Sequence, residues 1–403
     1  NGSYVLYVPE MLAGWIKLNM HNAEPGQKVT ITYGEKLNSD GTVQKLGGKD
    51  GVNSGWWPKA YNQQDNYICK GGETETFEPK FSYKGYQYVQ IDNYPGELKA
   101  EDIVCYRTSN DMEITGHFES SNELINHLHD MMMTTMSNNM QGKPTDTPVW
   151  EKNGWLGDAN VALQTMAYNY GYENMLTQFI ETMEDCQDEL GNVPNMVPTQ
   201  GWGNDNTVVW NSIFVFGVDQ MWDTYGIENY IEEQYPAMRE LALKDIEHSK
   251  SNGWTWSDGQ LADWVSPMGQ GDENSGLQYS ESPNEGSGIA GTGFAYRLLS
   301  VMADLADKLN KPEDAAEYRE AMANIYKAFN AKFYRPEQQI YETTTWSNIG
   351  PHRSKYRQTS NLVPLAFGLV PEEYKEGVLL NLVKDIRDKN YHLDTGCVGT
   401  ELI

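Results

Sequence analysis

The residues best suited to chemistry lie in one stretch, Asp146-Thr-Pro-Val-Trp-Glu151-Lys-Asn-Gly-Trp155-Leu-Gly-Asp158-Ala159. It sets three carboxylates, two indoles and a lysine around a turn expected at Pro148, Gly154 and Gly157, just before an apolar-periodic run. Carboxylates crowded at a helix start repel one another, and burial beside indoles disfavours their charged form. At least one is therefore expected to hold its proton near neutral pH. A pocket carboxylic acid of that kind is the proton donor that a departing glycosidic oxygen needs.

Each of these residues also has a plainer reading. Asp158 stands where an N-cap belongs, since Val161, Met166 and Tyr170 recur at helical spacing after it and Gly171 closes the run. Asp146, between two prolines, fits an ordinary turn. Trp150 suits core packing, and Glu151 could be a surface acid paired with Lys152.

The run Pro144 to Ala159 resembles the signature of bacterial α-L-rhamnosidases of glycoside hydrolase family 78, whose commoner form is Asp-Cys-Pro-Gln-Arg-Asp-Glu-Arg-Leu-Gly-Trp-Thr-Gly-Asp-Ala. The resemblance implies that Glu151 is the general acid and that Asp146, Trp155 and Asp158 line the sugar site. This chain is one residue shorter between Asp146 and Trp155 and carries Val149 where the family has an arginine, but the Glu-to-Trp spacing is kept. Gly201-Trp202-Gly203-Asn204-Asp205 and Ala262-Asp263-Trp264-Val-Ser-Pro267 resemble two further family segments. By that likeness Trp202 and Trp264 wall the rhamnose pocket, while Asp205 and Asp263 fit helix caps.

Composition agrees with a neutral, sugar-like ligand. The 403 residues carry a formal charge of −27, which disfavours nucleic acid and polyanionic substrates. Twelve Trp and twenty-five Tyr supply amphipathic faces that stack on sugar rings and polar tips that bond hydroxyls. Cys69, Cys105, Cys186 and Cys397 are scattered, so free thiols and a reducing, cytoplasmic setting are favoured, with secretion left open. No apolar run is long enough to span a bilayer, and the opening Asn-Gly-Ser-Tyr-Val-Leu-Tyr-Val reads as a strand entered from something upstream. No dinucleotide, phosphate-loop, zinc or Ser-His-Asp pattern competes, and no cofactor or metal is implied. His127, His129 and His392 read as polar packing or surface residues.

These residues must be positioned by two kinds of element. Over 1–112, β-branched and aromatic runs at Tyr4–Val8, Gly14–Met20, Lys28–Tyr33 and Tyr86–Ile91, separated by Pro-Gly, Asp-Gly and Gly-Gly turns, predict an antiparallel β-sandwich of jelly-roll type. Trp56 and Trp57 are loop or core aromatics that could also touch sugar. Near Gly116 the period changes to that of helices. Ser120-Ser-Asn-Glu123 reads as a capping box, with Leu124, Leu128, Met131 and Met132 on one face as packing. Further helices are expected around 207–225, 229–249, 313–331, 359–368 and 372–388, and 113–403 reads as all-α. That these helices form an (α/α)6 catalytic barrel is implied by the resemblance alone. Residues 268–289 form a long polar loop whose acids, Asp272, Glu273, Glu281 and Glu285, read as solvated.

The family hydrolyses terminal α-L-rhamnosides with inversion: one carboxylic acid protonates the leaving oxygen while a carboxylate about 6.5–9.5 Å away activates water. In the family the second carboxylate follows a Thr-Gly-x-x-Gly-Thr element, here Thr395 to Thr400, by several tens of residues, and the sequence stops at Ile403. The expectation is therefore a barrel incomplete at its C-terminal end, lacking the base and hydrolysing near background. Two other readings stay open: a carbohydrate-binding protein that holds sugar without cleaving it, and an (α/α)6 hydrolase for another α-linked sugar.

Overall fold

The computed structural model describes residues 2–45, 63–199, 201–256, 261–263, 287–342 and 356–403. Trp56, Trp57, Trp264 and the four acids of the 268–289 loop lie outside them. The chain divides into two compact units, 1–154 with 169–171, and 155–168 with 172–403.

The first unit is built on β1 (Ser3–Ala23), β2 (Lys28–Gly34), β3 (Gln64–Ile68), β4 (Gly72–Phe77), β5 (Lys84–Asp92) and β6 (Ile103–Arg107). They form one antiparallel sheet in the order β3-β2-β5-β1-β4, with β6 also paired to β1. The alternation of Ile16, Leu18 and Met20 turns those side chains inward, where they meet Val29, Ile31, Tyr33, Tyr86, Val89 and Ile91. Burial of that apolar surface, at about 25 cal/mol per Å², is what holds the sheet's inner face.

The two strands expected before residue 20 are one. The Pro9-Glu10 interruption survives only as a register shift against β5 between Tyr7 and Leu12. Backbone groups left over by that shift are claimed from a distance. Asn138, buried at the end of α1 (Glu123–Asn138), accepts from Ala13 N at 3.0 Å and donates to Met11 O at 2.9 Å. The helix itself is capped by Asn122, whose side chain accepts from Leu124 N, rather than by Ser120. Its apolar stripe also departs from expectation, because Leu124, Leu128, Met131 and Met132 are all exposed, Leu124 to 75%.

The second unit is helical: α2 (Leu156–Asn169, its last residue belonging to the first unit), α3 (Glu173–Asp185), α4 (Val208–Asn211), α5 (Ile213–Tyr225), α6 (Glu228–Ser251), α7 (Ser287–Lys308), α8 (Pro312–Phe333), α9 (Gln358–Ala366), α10 (Glu372–Asp388) and α11 (Cys397–Glu401). Apolar stripes at helical spacing are buried here, including Leu176, Phe179, Ile180 and Met183 of α3 and Leu298, Val301, Met302 and Leu305 of α7. Gly226 ends α5 with φ 68°, the left-handed C-terminal stop that glycine accepts without steric cost. The short hairpin of β7 (Tyr334–Arg335) and β8 (Ile340–Tyr341) was not expected. Its two-residue strands are too brief to leave a period. Among the described residues no helix is long and apolar enough to cross a membrane, and no group of three or more His, Cys, Asp or Glu could hold a metal ion.

Candidate functional site

The acid-bearing loop belongs to the first unit. Asp146 and Asn153 clasp it at both ends: Asp146 N donates to Asn153 O at 3.1 Å, and Asn153 N donates to Asp146 Oδ1 at 2.7 Å. Between them, Trp150 N donates to Thr147 Oγ1 at 2.9 Å, and Asn153 Nδ2 lies 3.5 Å from Glu151 Oε2. The structure thus brings Asp146 and Glu151 together in one short loop. Burial pushes the Asp146 carboxyl up to about 6, and the nearby Glu151 charge adds to the rise against the pull of the Asn153 N–H.

The turn is not made as the glycines suggested. The left-handed residue is Lys152, at φ 57°. Gly157 instead lies in the first turn of α2, where a Cβ would come within 2.2 Å of the Trp210 indole. Nor does Lys152 read as a surface partner for Glu151. Its Nζ donates to Tyr83 O at 2.6 Å and lies 4.2 Å from the centroid of the Tyr83 ring. Burial, and then the neighbouring Lys84 cation, lower the Lys152 ammonium to about 8, opposed by Asp65.

In the second unit Trp155 and Trp202 meet edge to face, with centroids 5.8 Å apart and planes at 76°. Such aromatic pairs contribute about 0.5–1.5 kcal/mol beyond their burial. Trp202 remains 43% exposed, so a face stays open to solvent. The two indoles come from separate segments joined by Asn195, a buried residue that sequence reasoning missed. Asn195 O accepts from Leu156 N at 2.9 Å, Asn195 N donates to Gly203 O at 2.9 Å, and its side-chain oxygen accepts from Thr207 N at 3.1 Å. Met196 bridges to Trp155 in the same segment. An asparagine in a polar loop carries no periodic signal, which is why it was not found.

Asp158 is exposed and sits in the first turn of α2, two residues inside the helix rather than at its cap. Its charge still complements the helix dipole there. Asp205 is exposed as well. Asp263 is buried and does cap a helix, though one remote in sequence. Its carboxylate accepts from Thr359 Oγ1 at 2.6 Å and from the N–H groups of Gly396, Val398 and Gly399 at 2.7, 3.0 and 3.0 Å, closing the start of α11. Asp245 of α6 lies 3.5 Å from Asn206 Nδ2, and burial pushes its carboxyl up to about 8.

An antiparallel sheet unit followed by a mainly helical unit defines a two-part protein. Residues 113–403 match the family model described as the bacterial α-L-rhamnosidase 6 hairpin glycosidase domain, and residues 1–108 match that of the bacterial α-L-rhamnosidase concanavalin-like domain. The chain belongs to the bacterial α-L-rhamnosidase family. It is 29% identical to an α-L-rhamnosidase of Formosa agariphila over its whole length, and 24% identical to one of Streptomyces avermitilis over 99% of its length. It spans 41% and 35% of those proteins respectively. Among solved structures, it is similar to the α-L-rhamnosidase from Dictyoglumus thermophilum (TM-score 0.83, 27% identity, 98% of this chain and 41% of that one). The Streptomyces avermitilis enzyme, solved in complex with L-rhamnose, shares the fold (TM-score 0.81, 24% identity, 98% of this chain and 34% of that one).

Proposed function

We propose that the chain carries the proton-donating part of an inverting α-L-rhamnosidase acting on a terminal α-L-rhamnose, a small neutral carbohydrate. The observation that carries this reading is the clasped loop 146–153, which sets Glu151 beside the half-buried Asp146 within a stretch that has the family's Glu-to-Trp spacing. Glu151 is the general acid. As the glycosidic C–O bond breaks, the leaving oxygen takes the Glu151 proton, and water adds at the anomeric carbon with its own proton passing to a second, ionised carboxylate. Asp146 and Asp158 bond sugar hydroxyls, and Trp155, Trp202 and Trp264 wall the ring. The paired, partly open indoles support this assignment. The finer architecture belongs to the same reading: a sandwich domain over 1–112 and an (α/α)6 catalytic domain from 113, supported by matches that end at 108 and begin at 113.

The test is turnover of an alkyl α-L-rhamnoside by the full-length protein and by Glu151→Gln, with the product anomer followed by NMR. Removal of the acid is expected to lower kcat about 10²–10⁴-fold, and the first-formed sugar is expected to be the inverted anomer. Unchanged turnover in the glutamine variant, or a retained anomer, overturns the assignment.

A further inference from the structure

We propose that Lys152 is a positioning residue for the general acid, anchoring the Glu151 loop to the start of β5. The proposal rests on the reading of Glu151 given above. Two contacts and one backbone angle within the first unit carry it.

The first is the anchor. The Lys152 ammonium donates to the carbonyl of Tyr83 and lies against the face of the same ring, so one side chain grips residue 83 from two sides. Tyr83 immediately precedes β5, whose ladder with β1 and β2 fixes its place. The second is a close approach one step further on. At Gly85 a Cβ would fall 2.3 Å from Val149 Cγ2 and 3.1 Å from Pro148 Cγ, so the loop's other arm lies directly on the backbone of β5. The third is the backbone of Lys152 itself. Its φ of 57° is disfavoured for a residue with a side chain and persists where the surroundings hold it.

The left-handed turn sends the Lys152 side chain to the strand, while the clasp between Asp146 and Asn153 closes the loop around Glu151. Lys84 is paired with Asp65 at 3.2 Å, and that carboxylate offsets part of the repulsion that Lys84 exerts on Lys152. Releasing the ammonium frees the residue adjacent to the proton donor. A misplacement of about 1 Å is enough to cost roughly 10²-fold in rate.

The expected signature depends on the leaving group. An alkyl α-L-rhamnoside needs the proton, whereas a dinitrophenyl α-L-rhamnoside leaves as a stable anion without it. In Lys152→Met and Lys152→Gln, kcat on the alkyl substrate should fall at least about 10-fold with KM little changed, and kcat on the dinitrophenyl substrate should stay within about 3-fold. Lys152→Arg, which keeps the cation, should recover most of the loss. Equal losses on both substrates, or none, overturn the positioning role, and so does failure of both neutral variants to fold, which would make the anchor a folding element. With the full-length protein as parent, alkyl turnover by Glu151→Gln equal to the parent's would instead refute the reading of Glu151.

Discussion

Asp146 shows how one carboxyl couples chemistry to stability. Its pKa is raised from the usual 3.8 to about 6, so between those values the folded protein binds more protons than the unfolded chain. The contribution of this group to stability is then fully present below about pH 4 and is lost as the pH climbs through 6. Asp146→Asn keeps the acceptor for Asn153 N and removes the charge. At pH 7 the variant should be more stable than the parent by about 1–3 kcal/mol, a difference that vanishes near pH 4 in urea titrations at the two pH values. At this scale the loop holding Glu151 and Asp146 stood out because acids crowded beside indoles and prolines make a poor core, while the roles proposed for the two acids rest on the family signature. Lys152 was not legible, since a lysine next to a glutamate reads as its ion partner. Only the left-handed backbone, which leaves no mark in the residue type, turns it toward Tyr83. Asn153 and Asn195 were silent for a related reason: each acts largely through its own backbone N–H and C=O, which no side-chain pattern announces.

The elements were legible in proportion to how fully one face is buried. Strands β2 and β5 and helices α3, α6, α8 and α10 follow their apolar periods. The segments Gln64-Asp-Asn-Tyr-Ile68 and Gly72-Glu-Thr-Glu-Thr-Phe77 are mostly polar, and they enter the sheet as β3 and β4 through their backbone ladders with β2 and β1. Period alone cannot see such strands. The register shift in β1 offers a measurement at this scale. Asn138→Ala strands the part-buried Met11 carbonyl and the buried Ala13 N–H together, and should cost about 2–4 kcal/mol in chemical denaturation. A loss under about 0.5 kcal/mol would mean that water serves those groups equally well.

Across the whole molecule, the change of period near Gly116 separates strand-built from helical sequence, and most of the charge of −27 falls on the helical side. Ring order among helices was beyond reach, because a helix stripe reports that a face is covered and not by which neighbour. The stripe on α1 adds a consequence for handling the protein. Leu124, Leu128, Met131 and Met132 form an oily ridge on a strongly anionic particle. A solvatochromic dye such as ANS should fluoresce with the native 403-residue chain, and Leu124→Lys with Leu128→Glu should quench that signal without moving Tm. Colloidal behaviour should follow the same ridge: salt that screens the mutual repulsion of the particles should promote clouding in the parent and leave the doubly charged variant clear.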